Sequence, residues 1–272
     1  MRKNAIGVAL LLAFFALLPT AAQQKYWVVF SDKPTVNAVC VSPEAVRNRL
    51  AQGLPASQPT DWPVDETYVN RLRATGGNVH TVSKWINAAS ATLDATQLAA
   101  VRKLPFVQEI TLIDSRIRVA ATAPPASERN YSTALRQIEA GALAEAGLTG
   151  KGVKVGIIDV GFYGVTTNPA LQRIRTEKQI HDARDYVNPR HTDNFFDMET
   201  HSDYHGAEVL QLIGGYSESQ QMGFGAAPGA SFYLARTDHG IRETRTEEDN
   251  WIAAIERMDS LGVRLVNTSL GY

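Results

Sequence analysis

The feature that most constrains this chain is an apolar run that ends in a single carboxylate, VKVGIIDVGFYG at residues 153–164. Valines and isoleucines without intervening polar residues are typical of a parallel strand that is covered on both faces. Asp159 ends the run, and an aspartate is costly to bury unless it is paired or hydrogen-bonded. Ligands and catalytic groups gather beyond the carboxyl ends of the strands in open α/β sheets. Asp159 is therefore a candidate functional residue, with a loop-capping or a metal-binding aspartate as the alternatives.

The residues around this strand predict an α/β unit over residues 131–272. Helix-like apolar spacing covers residues 206–213, and an amphipathic helix is predicted at 247–261. Short strand patterns lie at 231–235 and 262–267. Strand, helix and strand in this order make a right-handed βαβ crossover, so the sequence predicts a parallel sheet.

The preceding residues, 23–119, predict a separate and smaller α+β unit. Ser42 is placed to cap a helix that has Pro43 in its first turn, and Asp94 with Gln97 forms a capping box for another helix. Strands are predicted at 25–30, within 79–91 and at 106–113, and helices from 43, around 68–74 and at 94–103. This order favours an open-faced, ferredoxin-like sheet of the split βαβ kind with its helices on one side. Residues 120–130, which hold two prolines among small and polar residues, are predicted to be a linker.

The first 22 residues predict a secretory signal peptide. Arg2 and Lys3 precede an apolar run at 5–18, and small residues follow up to Ala22, where cleavage is expected. The run is shorter than the ~20 residues that a membrane-spanning helix needs. The sequence therefore predicts an exported protein that is secreted, periplasmic or held at the cell surface.

Composition excludes several classes of protein. The formal net charge of -1 gives no basic field for nucleic acid. No later segment is long and apolar enough to suggest a membrane span. Cys40 is the single cysteine, so an internal disulfide is excluded.

The second candidate functional residue is His205, which stands at the start of the predicted helix 206–213. A histidine at such a position can meet an aspartate at a strand end. The carboxylate then orients the imidazole and stabilises its charged form, while the other ring nitrogen takes a proton from a nucleophile. The alternative is a metal-dependent hydrolase, because further candidate ligands lie nearby in the sequence. These are His181, His191, Asp193, His201 and Asp203.

Four segments resemble, in order, the motifs of subtilisin-like serine peptidases. GKGVKVGIIDVG at residues 150–161 resembles the aspartate motif, and HGAEV at 205–209 resembles the histidine motif, although Ala207 and Glu208 depart from the usual residues. GAAPGASFYLA at 225–235 is similar to the segment that follows, and VNTSLG at 266–271 resembles the wall of the substrate cleft. The resemblance implies the family order of Asp, His and Ser.

The resemblance also implies a fold and roles for particular residues. The fold would be a subtilisin-like parallel sheet with helices on both faces, incomplete here, after a ferredoxin-like prodomain at 23–119 that inhibits the site and is cut away at 120–130. Asp159 and His205 would be catalytic, and peptide or protein substrates would lie along Asn267 and residues 269–271 (Ser269, Leu270 and Gly271). No cofactor would be required, although structural calcium is compatible with the family.

In this family the nucleophilic serine lies farther along the chain than Tyr272. The polypeptide of residues 1–272 is therefore expected to be inactive, as the front portion of a zymogen. The strand at 262–267 would then have an open edge, which is an aggregation risk. A further alternative is an exported inhibitor in which residues 25–119 block a peptidase in trans.

Overall fold

Two four-stranded sheets organise the chain in this computed structural model. The structure describes residues 23–34, 41–113, 135–188, 195–196, 202–240 and 245–270. The predicted signal peptide, the predicted linker and Cys40 lie outside the described residues. We call residues 23–113 the N-terminal unit and residues 135–270 the C-terminal unit. In the described part of the chain, no helix has the length and apolarity that crossing a membrane requires.

The N-terminal unit is an antiparallel sheet with strand order β2-β3-β1-β4. Its strands are β1 Gln24–Phe30, β2 Asn78–Ser83, β3 Ala88–Leu93 and β4 Val107–Leu112. Its helices are α1 Pro43–Leu50, α2 Glu66–Ala74 and α3 Ala95–Val101, with a 3₁₀ turn at Pro59–Asp61. This order confirms the predicted ferredoxin-like fold. The region 79–91 resolves into two strands, β2 and β3.

The apolar core of this unit lies between one face of the sheet and two of its helices. Val28 and Phe30 of β1 pack with Leu72 of α2 and Val101 of α3, all of them buried. The helix α1 does not join this cluster. Instead, the backbone N–H of Ser42, its N-cap, donates to the carbonyl of Ser260 in the C-terminal unit at 2.7 Å.

The predicted caps of the N-terminal helices are present. The Ser42 hydroxyl accepts the backbone N–H of Ala45 at 3.1 Å. Asp94 accepts the N–H groups of Thr96 and Gln97, and the Gln97 side chain accepts the N–H of Asp94 in return. The helix behind this capping box ends at Val101, two residues before the predicted end.

The C-terminal unit is built on a parallel sheet with strand order β10-β5-β9-β6. Its strands are β5 Lys154–Asp159, β6 Ile180–Asp185, β9 Ser231–Arg236 and β10 Leu265–Thr268, and β7 Tyr216–Ser217 pairs separately with β8 Met222–Gly223. Its helices are α4 Gly141–Glu145, α5 Gln172–Thr176, α6 His205–Gly214 and α7 Glu248–Ser260, with 3₁₀ turns at Pro169–Leu171 and Arg245–Glu247. The predicted parallel sheet is therefore confirmed.

Helices cover both faces of this sheet. Ile157 of β5 packs in one buried cluster with Leu210 of α6. Ile158, the next residue, points to the opposite face and packs with Ala254 and Met258 of α7. This two-sided burial explains why β5 is apolar at consecutive positions. Because both faces of β5 are covered, the carboxyl end of the strand is where a polar side chain can contact groups that are open to solvent.

Candidate active site

Asp159 and His205 meet at the carboxyl edge of the parallel sheet. Asp159 is the last residue of β5 and His205 is the first residue of α6. The imidazole Nδ1 lies 2.9 Å from Oδ1 and 3.1 Å from Oδ2 of the carboxylate. The Asp159 side chain is fully buried, whereas 36% of the His205 side chain is exposed. The pair therefore combines a fixed carboxylate with a ring that remains accessible.

Two glycines allow the strand end and the helix start to approach this closely. The backbone N–H of Gly206 donates to the carbonyl of Gly161 at 2.9 Å. A Cβ on Gly206 would lie 2.4 Å from that carbonyl oxygen and 2.9 Å from the Cβ of Asp159. A Cβ on Gly161 would lie 2.6 Å from the Cα of Asp203. Any side chain at either glycine would force the loop after β5 away from α6, and with it Asp159 away from His205.

The surroundings of His205 favour its charged form. The hydrogen bond from the ring to Asp159 is the largest influence, and it raises the pKa of His205 above its usual value. Burial of the ring acts in the opposite direction, while the charges of Asp159, Glu208 and Asp238 add to the increase. Because Nδ1 is engaged by the carboxylate, Nε2 is the nitrogen that can accept a proton from another group.

A buried arginine supports the same edge of the sheet, and sequence reasoning missed it. Arg236 is the last residue of β9 and is paired in register with Asp159. Its Nε donates to the carbonyl of Val160 at 3.0 Å, and its guanidinium lies 3.3 Å from Asp185 and 3.8 Å from Asp203. The sequence offered a signal for Arg236, which directly follows the apolar run SFYLA. Asp159 was selected because it stands in the same way at the end of an apolar run. Arg236 ties the loop after β5 to the turn before His205.

The predicted cleft residues lie beside this edge. In the sheet β10 is the neighbour of β5, and the backbone N–H of Ser269 donates to the carbonyl of Ile158 at 3.1 Å. Asn267 donates from Nδ2 to the Ser269 hydroxyl at 3.0 Å. Leu270 lines a cavity of about 340 Å³ together with Trp251 and Ile252. Gly271 lies outside the described residues.

Only some of the residues named for the metal-site alternative belong to the described part of the chain. His181 stacks on Tyr233 with 5.9 Å between the ring centroids, and Asp203 lies beside Arg236. His191, Asp193 and His201 lie outside the described residues. Within the residues that are described, no three His, Cys, Asp or Glu side chains are grouped so that they could hold a metal ion.

A carboxylate that holds a partly exposed imidazole at the carboxyl edge of a parallel sheet can orient the ring for proton transfer. Comparison with known families shows which proteins share these segments. Residues 150–272 match the Subtilase family, Peptidase S8, and residues 25–130 match the Peptidase S8 propeptide domain of Bacteroidota. The chain therefore carries, in order, a match to an S8 propeptide domain and a match to a subtilase domain, which is the organisation of a subtilisin-like peptidase precursor.

Individual relatives point to the same family. Subtilisin E of Bacillus subtilis (strain 168) is 29% identical over 197 residues, which are 72% of this chain and 45% of that protein. Subtilisin J of Geobacillus stearothermophilus shows the same identity and the same coverage. The chain therefore spans less than half the length of these relatives.

Two crystal structures of the epidermin leader peptide processing serine protease from Staphylococcus aureus share the fold. The first has a TM-score of 0.55 at 13% identity and covers 91% of this chain and 50% of that one. The second has a TM-score of 0.52 at 15% identity and covers 91% and 49%. At these identities the likeness concerns the fold alone.

Proposed function

We propose that the protein is the precursor of a serine-type endopeptidase in which Asp159 and His205 are two members of an Asp-His-Ser triad. The observation that carries the proposal is the hydrogen bond of 2.9 Å between His205 Nδ1 and a fully buried carboxylate, with the ring still partly exposed. The nucleophile is a serine that lies after residue 272 in the complete protein. Residues 1–272 alone are then inactive.

The two residues perform a proton transfer. His205 accepts the hydroxyl proton at Nε2 as the serine oxygen attacks the carbonyl carbon of the scissile peptide bond. The resulting imidazolium is stabilised by the Asp159 carboxylate. His205 then gives the proton to the leaving amine, and a water molecule repeats the sequence to release the acyl group. The raised pKa of His205 matches this cycle, because the protonated ring is an intermediate of it.

The substrate is a peptide or protein segment in extended form. It pairs with the backbone that follows β10, at Ser269 and Leu270, as an added strand. Gly271, which lies outside the described residues, is included on the sequence resemblance alone. The cavity beside Leu270 has a lining that includes Trp251 and Ile252, so it suits an apolar side chain of that segment. Asn267 orients the Ser269 hydroxyl at the same wall.

The N-terminal unit acts as an intramolecular inhibitor that is later removed. Its match to the S8 propeptide domain supports this role, and residues 120–130 are where we expect the processing cut. Residues 1–22 direct the precursor to export as a signal peptide. The triad chemistry requires no cofactor, and structural calcium stays a prediction that unfolding temperatures with and without a calcium chelator test.

The test is His205→Ala in the complete protein, with Glu208→Gln on the same helix as the matched control. We expect His205→Ala to lose self-processing and to lower kcat on a peptide substrate by about 10⁶-fold. Glu208→Gln leaves the hydrogen bond between His205 and Asp159 in place and removes only one of the smaller contributions to the raised pKa of His205, so it is expected to process normally. Processing is followed by mass spectrometry of the chain termini. Normal processing of the His205→Ala protein would refute the proposal.

A second candidate is a peptidase inhibitor that acts in trans. It is favoured by the N-terminal unit having its own buried core, centred on Val28, Phe30 and Leu72. If this is the function, residues 23–113 added at micromolar concentration inhibit a related subtilase. Absence of inhibition by a folded N-terminal unit would exclude it.

A further inference from the structure

The sheet of the N-terminal unit has two chemically different faces. One face carries Val28 and Phe30 and packs on α2 and α3. Lys25 and Trp27 alternate with these residues and therefore point the other way. In the register of β1 with β3, Lys25 is opposite Thr92 and Trp27 is opposite Ser90. The second face, which we call the polar face, therefore presents an ammonium group and two hydroxyl groups beside the Trp27 ring.

This polar face lies against α7 of the C-terminal unit. Asp249, in the first turn of α7, is completely buried. Its carboxylate accepts the Lys25 ammonium at 2.8 Å and the Ser90 hydroxyl at 2.6 Å. The backbone N–H of Asn250 donates to it at 3.0 Å. Two of these three donors belong to the N-terminal unit, so Asp249 is buried and satisfied only while the two units are docked.

Glu256 forms the second polar contact of the same helix face. It lies seven residues, or two helical turns, after Asp249, so both carboxylates face the N-terminal sheet. Glu256 accepts the Ser83 hydroxyl and the backbone N–H groups of Lys84 and Trp85, the last two at 3.2 and 3.1 Å. Those two N–H groups therefore donate across the boundary between the units.

A buried ion pair of this kind contributes more to the selectivity of docking than to the affinity between the two units. A buried ion pair roughly balances its desolvation, so it adds little net affinity over an apolar contact. A sheet that lacks the cation leaves the carboxylate buried without its counter-charge, which is strongly unfavourable. After separation, Lys25, Ser90 and Asp249 are all hydrated readily, as expected of an interface that has to open.

We propose that Asp249 is a recognition site through which the C-terminal unit selects its own N-terminal unit. It accepts a sheet that places an ammonium group and a hydroxyl group side by side on neighbouring strands, and it rejects a sheet without the cation. The regulatory meaning of this selection rests on the proposed precursor function. The contact itself does not depend on peptidase activity.

The test is a charge-swap cycle read by hydrogen exchange of the Lys84 and Trp85 amides, which donate to Glu256 only while the units are docked. We compare Lys25→Glu, Asp249→Lys and the combination with the unaltered chain. Lys25→Glu is expected to accelerate exchange by roughly 30-fold or more, which corresponds to the lower end of losses for a broken buried charge pair. The combination restores an ion pair and is expected to return exchange to within about tenfold of the unaltered chain.

Controls keep the result interpretable. Lys103→Glu makes the same charge change at an exposed position of the N-terminal unit, and unaltered exchange is expected there. Ser90→Ala is a milder variant in case a charge reversal prevents folding. It removes the hydrogen bond to Asp249 and also the acceptor of the Thr81 backbone N–H at 3.1 Å, and about tenfold faster exchange is expected from the loss of the bond to the charged group. Exchange of Lys25→Glu or Ser90→Ala at the unaltered rate would overturn the proposal. The proposal would also be overturned if the effects of Lys25→Glu and Asp249→Lys on the exchange rates simply added in the combined variant.

The experiment separates this inference from the proposed function. Amide exchange is measured without any proteolysis, so a protein that proves not to be a peptidase still gives a decisive result on Asp249. If the protein is a peptidase, Lys25→Glu is also expected to shorten the delay between self-processing and full activity. An unchanged delay with accelerated exchange would overturn the regulatory role and leave the docking contact in place.

Discussion

Asp159→Asn is the substitution whose effect follows most directly from the geometry of the site. It removes the charge that His205 contacts at 2.9 and 3.1 Å and leaves the size of the side chain nearly unchanged. A hydrogen bond between charged partners contributes about 1.5–3 kcal/mol. Because 36% of the His205 side chain is exposed, solvent screening places the contribution of this hydrogen bond at the low end of that range, at about 1.5 kcal/mol.

The sign of the pH dependence follows from the direction of the pKa shift. The folded state raises the pKa of His205 above that of the unfolded chain, mainly through the hydrogen bond to Asp159. The stabilisation is therefore fully present below the unfolded pKa of about 6.5 and is lost as the pH rises through the folded pKa. Asp159→Asn is expected to lower the free energy of unfolding by about 1.5 kcal/mol near pH 5, and by much less near pH 9.

The assay is urea unfolding of the unaltered chain and of the variant at both pH values. Asp182→Asn is the matched control, because Asp182 pairs with Arg257 at 2.6 Å and a guanidinium stays charged throughout. Its loss of stability should be the same at both pH values. An equal loss for Asp159→Asn at the two pH values would refute the reasoning. If the complete protein is the proposed peptidase, the same variant is expected to lower kcat by about 10⁴-fold.

Three further substitutions test the fold and the site. Gly206→Ala places a Cβ 2.4 Å from the Gly161 carbonyl oxygen and should lower the free energy of unfolding by about 1–3 kcal/mol in urea titrations, whereas Gly141→Ala, with open space around it, should cost nothing. Asp94→Ala removes a helix cap and should cost about 0.5–2 kcal/mol by thermal unfolding, and an unchanged midpoint would contradict the capping box. Leu265→Lys on the edge strand β10 should reduce aggregation of residues 1–272 in light scattering, and equal scattering would exclude this strand as the cause.

The elements with strong apolar patterns were predictable from the sequence, and the others were not. Both β5 and α7 are buried on the faces that their patterns indicated, so their positions were correct to within about two residues. The strand β6, IHDARD, was missed because it lies at an edge of the sheet and has only two apolar residues, Ile180 and Ala183, which are three positions apart and so show no strand alternation. The two-residue strands β7 and β8 are too short to produce a pattern.

The same distinction applies to the site. Asp159 and His205 were selected because each stands at the end of a recognisable element, and the distance between them follows from the topology. Arg236 and Asp249 were not selected, although both are buried charges. Their partners are far away in sequence, and a single charged residue does not indicate what it will face after folding. Long-range polar pairing is the part of this structure that local sequence patterns did not predict.

The helix α7 connects the docking of the N-terminal unit to the candidate substrate cleft. Asp249 and Glu256 face the N-terminal sheet, while Met258 packs on the parallel sheet. Trp251, on the same helix, lines the cavity beside Leu270 and donates from Nε1 to the Thr268 hydroxyl at 3.0 Å. A rigid helix buried on several sides cannot shift at one contact without moving the others. Release of the N-terminal unit removes the partners of Asp249 and Glu256, and the same helix lines the candidate cleft through Trp251. Docking and substrate binding are therefore expected to be energetically coupled, and by linkage an extended peptide bound along β10 should change the exchange rate of the Lys84 and Trp85 amides.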